Sequence, residues 1–141
     1  PSLYKKADHI KQNLLFLNDQ YHIDKVFIEQ SLQTFRSGFS SAQTLSTLSR
    51  FNGIVSWMCY ELFRVDPIML AASSARKQAG LTIKRGEPAK EKVLEFILDN
   101  VPGFLIEYTK HGNPRPGTYD RADSYIIAKA GYLQWSTQKK T

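Results

Sequence analysis

Lys25-Val26-Phe27-Ile28-Glu29 is short, β-branched and aromatic, and it ends on an acid. Such a run reads as a buried strand whose carboxyl end presents Glu29. Upstream, Leu3, Ala7, Ile10, Leu14, Leu17 and Tyr21 recur at three- and four-residue spacing. That spacing predicts one face of an amphipathic helix ending near Asn18-Asp19. Downstream, residues 31–41 mix Ser, Gly and Phe and read as a loop or helix entry, and a long helix is expected from Ala42 to Phe63. Leu45, Leu48, Val55, Cys59 and Leu62 line one side of it, while Phe51, Ile54 and Met58 make a second side apolar. A helix apolar on two sides belongs in a core or at a subunit interface.

Pro67-Ile68-Met69-Leu70-Ala71-Ala72 predicts a second strand, with the proline at its start. Ser73 to Gly80 reads as one or two helical turns stopped by the glycine. Lys84-Arg85-Gly86 is a basic loop, and Pro88 suits the first turn of a helix carrying Val93, Leu94, Ile97 and Leu98. Pro102 to Thr118 holds three prolines and three glycines, which predicts loop, and a last helix begins around Asp120. The pattern is an α/β domain over residues 1–141 with parallel crossovers. Two apolar strands need neighbours on both sides. A partner chain or residues preceding Pro1 are expected to supply them.

The chain has 141 residues, enough to bury a core, with 42% hydrophobic and 12% aromatic residues. Its 19 basic against 13 acidic residues leave a net charge of +6, which favours a polyanionic partner. Cys59 is the single cysteine, so an internal disulfide and a cysteine-rich zinc site are excluded. Within Ile54 to Cys59 it reads as a small buried hydrophobe, and the composition suits a reducing compartment. No run is apolar enough to span a bilayer, and His9, His22 and His111 lack zinc-ligand spacing.

Asp120 and Asp123 stand three apart at the start of the last helix, so they project from one face, where the positive end of the helix dipole favours their charged forms. Converging carboxylates repel unless a cation neutralises them, and hard oxygen ligands suit Mg²⁺ or Mn²⁺. Two such ions can activate water and stabilise a leaving oxygen in phosphodiester hydrolysis. A lone Asp at a helix start is usually a cap and a lone strand-end Glu is usually structural, so the combination carries the argument.

Phe27-Ile28-Glu29-Gln30 resembles the second acidic motif of RuvC-family Holliday junction resolvases. Asp120-Arg121-Ala122-Asp123, followed by Ser124-Tyr125-Ile126-Ile127-Ala128, is similar to their closing motif. Leu48-Ser49-Arg50-Phe51-Asn52-Gly53-Ile54-Val55 resembles the family's long helix. Ala75 to Gly80 with Lys90-Glu91-Lys92-Val93 resembles its basic segment. The resemblance implies an RNase H-like mixed sheet flanked by helices, in a homodimer that resolves four-way junctions. It implies Glu29, Asp120 and Asp123 as ligands of Mg²⁺ or Mn²⁺, and Lys90 as the basic residue near the scissile phosphate, with Lys92 the second candidate. DNA contacts are expected from Phe35, Arg36, Phe39, Arg76, Lys77, Lys84, Arg85 and Lys92, although any one of these cations is equally read as solvated surface.

One family feature is missing from these residues. The N-terminal three-stranded meander, with its first catalytic Asp, has no counterpart, and Asp8 lies in the first helix pattern. A chain with only these residues is expected to cut poorly or not at all. An inactive DNA-binding or scaffolding relative, and an RNase H-like nuclease acting on other branched or hybrid substrates, therefore stand beside the resolvase. The implied setting is intracellular: a bacterial or phage-infected cytoplasm, or an organelle.

Overall fold

Ser2 sits in extended backbone and its hydroxyl accepts a hydrogen bond from the Lys5 amide at 3.2 Å. It thereby caps a first helix, α1, over Leu3–Gln20. The computed structural model describes residues 2–30 and 42–139. They form five helices and two short strands: α1, β1 (Phe27–Glu29), α2 (Ala42–Phe63), β2 (Ile68–Leu70), α3 (Ala72–Ala79), α4 (Ala89–Asn100) and α5 (Thr118–Lys139). The protein is thus mixed α/β and mostly helical, and among the described residues the sheet is a parallel pair, β1 beside β2. Two compact units divide the chain, the first reaching Met69 and the second starting at Leu70.

In the first unit α1 packs on α2. The helical spacing of α1 is as expected, but its burial is shallower. Ala7 is buried, Leu3, Ile10 and Leu14 are half-buried, and Leu17 and Tyr21 are exposed. On α2, Met58 and Cys59 are buried, and burial raises the Cys59 thiol pKa, as suits a packing residue. The Ile68 amide donates to the Val26 carbonyl at 2.9 Å, which sets the register of the two strands. The strands were expected to be buried on both faces. Val26, Phe27 and Ile28 are half-buried instead, and Ile68 and Met69 are exposed, because a two-stranded ribbon has too little breadth to be enclosed.

In the second unit α3 and α4 both pack on α5. Small residues permit this. Ala75 on α3 and Ala122 and Ala130 on α5 are essentially inaccessible, so helix backbones approach closely where larger side chains would separate them. Val93 and Ile97 of α4, with Ile126 and Ile127 of α5, complete the core. Gly80 ends α3 in the left-handed conformation (φ 99°), and the following Leu81 amide bonds the Arg76 carbonyl at 2.9 Å. Pro88 stands just ahead of α4 as its N-cap residue, one position earlier than the first helical turn expected for it.

The stretch Pro102 to Thr118, expected as loop, contains a small hairpin. Tyr108 and Pro114 form an antiparallel bridge, and the Thr109 amide donates to the Asn113 carbonyl at 2.7 Å. α5 begins two residues before the expected Asp120.

Candidate functional site

The second unit holds the acid pair. Ala122, Ile126 and Ala130 form the buried stripe of α5, and Ile127 flanks it. Asp123 lies one turn before Ile127, so helix periodicity places it at the edge of the buried face, where it is half-buried. Asp120, three residues earlier, is exposed.

The Asp123 carboxyl is held above the ordinary carboxylate range. Loss of solvation is the main cause, and the neighbouring Asp120 charge adds to it. The positive charges of Arg76 and Lys90 oppose the rise without cancelling it. Arg76 comes from the last turn of α3 and Lys90 from the first turn of α4. Three helices therefore bring one further acid, Asp120, and two bases into electrostatic range of one half-buried carboxylate. Oxygen donors of this kind fit a hard divalent cation, whose charge would offset both the desolvation and the repulsion. Among the described residues no three His, Cys, Asp or Glu side chains gather closely enough to hold a metal ion.

Glu29 belongs to the first unit and ends β1 with an exposed side chain. Its carbonyl accepts a hydrogen bond from the Asn52 side-chain amide at 3.2 Å, which ties the strand end to α2. Gly53, next on that helix, is exposed and has open space where a side chain would project. Packing among the described residues therefore does not require a glycine there.

The basic residues separate. Lys92 pairs with Glu87 at 3.3 Å and reaches Glu95 at 3.9 Å. Glu87 also accepts from the Lys84 amide at 2.7 Å, and these hydrogen bonds hold its carboxyl below the usual range. Lys92 thus braces the loop ahead of α4, whereas Lys90 is exposed and acts on Asp123 through its charge. Lys77 and the side chains of Lys84 and Arg85 are exposed. Phe35, Arg36 and Phe39 lie outside the described residues.

Arg121 is a residue whose role the sequence did not single out. Its guanidinium lies over the Phe104 ring, 4.7 Å from the centroid, and both terminal nitrogens donate to the Leu105 carbonyl at 3.2 Å. It clamps the preceding loop to the first turn of α5. Its position inside Asp120-Arg121-Ala122-Asp123 was the available signal, but no spacing rule points from it to Phe104. No protein-family model, curated protein or solved structure matches the chain.

Proposed function

We propose that this chain is a RuvC-like, RNase H-like nuclease domain that hydrolyses phosphodiester bonds of branched DNA, four-way junctions above all, with Mg²⁺ or Mn²⁺. The carrying observation is Asp123: a half-buried carboxylate one helical turn from Asp120, with Arg76 and Lys90 acting on it. A carboxylate kept partly desolvated beside a like charge is costly to ionise, and perturbed acids of this kind cluster at active sites. Asp120 and Asp123 would hold the metal, which when bound supplies charge for the attacking and leaving oxygens. Lys90 and Arg76 would orient the phosphate and neutralise its oxygens. Glu29 as a further ligand rests on the resemblance alone.

The net charge of +6 supports a polyanionic substrate. No helix among the described residues is long and apolar enough to cross a membrane. Pairing of two subunits is part of the same reading. The exposed residues Gly53, Trp57 and Tyr60 share one side of α2, and Trp57 is 63% exposed.

The test compares metal-dependent cutting of a four-way junction and of linear duplex by the full-length chain. Weak cutting confined to the junction is expected, since the first Asp of the family has no counterpart here. Equal cutting of both would remove the junction preference, and binding without cutting at any metal concentration would assign the inactive relative instead. Within this reading Lys90 and Lys92 should differ. Lys90→Ala is expected to lower the slope of log affinity against log salt by about one. Lys92→Ala is expected to leave that slope unchanged and to lower thermal stability slightly, since its ammonium is engaged with Glu87. Equal slope changes would show that Lys92 also meets DNA.

A further inference from the structure

We infer that the hairpin over residues 107–115, in the second unit, is a docking surface for unpaired nucleic-acid bases. The inference rests on the nuclease reading for its class of partner. Its own basis is a hairpin whose backbone is fixed while its outward side chains are open.

The fixing is explicit. Thr109 and Asn113 pair across the turn, the Arg115 amide donates to the Glu107 carbonyl at 2.9 Å, and Gly112 turns the chain in the left-handed conformation (φ 84°). Arg121 pins the entry at Phe104 and Leu105, as described. Yet Tyr108 is 56% exposed and Leu105 is 75% exposed, with Lys110 and His111 exposed at the turn. A scattered exposed Leu is ordinary. An exposed aromatic on a backbone this firmly held is preorganised for contact, because little conformational entropy is lost when it binds.

The chemistry of the patch selects the partner. A cleft of about 400 Å³ at the hairpin's base is lined by Leu105, Glu107, Arg115, Pro116, Thr118 and Arg121. Lys110, Arg115 and Arg121 outnumber Glu107, which itself stands 3.5 Å from the Arg115 guanidinium. Cations track a phosphate backbone, and an aromatic side chain stacks on a base. Bases within an intact duplex already stack on each other, so Tyr108 suits unpaired ones. The hairpin leads directly into α5, the helix that carries Asp120 and Asp123.

The experiment measures fluorescence anisotropy of a labelled single-stranded oligonucleotide, and separately of a four-way junction, with the full-length chain. Tyr108→Ala is expected to weaken single-strand binding on the order of tenfold, with Tyr108→Phe close to the parent. Lys110→Ala is expected to lower the salt slope by about one. That second variant decides the matter should Tyr108→Ala fail to fold. Unchanged affinity and slope would overturn the inference. So would intact binding with altered self-association of Tyr108→Ala in sedimentation, which would make the hairpin a protein contact. A parent that cuts junctions, with variants that bind single strands equally well, sinks the hairpin and leaves the nuclease standing. A parent that binds no nucleic acid sinks both.

Discussion

Asp123→Asn is expected to abolish metal-dependent cutting while raising the thermal stability of the metal-free protein. The carboxyl is disfavoured in its charged form by burial and by Asp120, so its pKa in the folded state lies above that in the unfolded chain. Between those two values the native state binds more protons than the unfolded state, and stability therefore falls as pH rises through the window. Above the window the native protein carries the full penalty of a partly desolvated charge. Below the unfolded value the penalty is absent. The amide has no charge to desolvate, so the variant's advantage should be greatest near neutral pH and vanish in acid.

Melting curves across pH with a chelator present measure this. Added Mn²⁺ should reverse the order, because a cation that binds only the native parent stabilises it by mass action. Cutting should fall at least about a hundredfold, as with removal of other charge-stabilising groups from active sites. A variant that cuts like the parent would remove Asp123 from the site. One that melts lower than the parent at neutral pH would make Asp123 a structural residue.

Ile97→Ala should destabilise the protein by about 2–5 kcal/mol, through lost burial and the cavity left behind. Ile97 is fully buried on α4, in the unit where α4 packs against α5. Against a typical total of about 5–15 kcal/mol this is a large fraction. The melting temperature should drop on the order of 10 °C. Ile97→Val, which removes one methylene, should cost about 0.5–1.5 kcal/mol. Leu98→Ala provides the contrast: its side chain is 47% exposed, and a shift within about 0.5 kcal/mol is expected. Equal effects at Ile97 and Leu98 would contradict the packing described. Because α5 carries both acids, cutting by Ile97→Ala should track the folded fraction as temperature rises.

Ile97 and Leu98 also show where sequence reading stops. Both are apolar, and both fell within the helix pattern after Pro88. Periodicity identified the helix but not which of two adjacent apolar positions faces the neighbour. That depends on how α4 is rotated against α5. The same holds for Lys90 and Lys92, two residues apart and alike in type. One acts electrostatically on Asp123 and the other pairs with Glu87, which no spacing rule separates.

The acid pair was legible in advance because three-residue spacing on a helix is a local property. Asp120 and Asp123 share a face wherever the helix goes. The same local rules placed α1, α2 and the Gly80 stop, each within a few residues of where the chain forms them. Tertiary structure alone decided that Asp123 is partly desolvated. Asp123 lies beside the alanine stripe against which α3 and α4 close, and Asp120 stays in water. Periodicity put the two carboxylates together, and packing made one of them costly to charge.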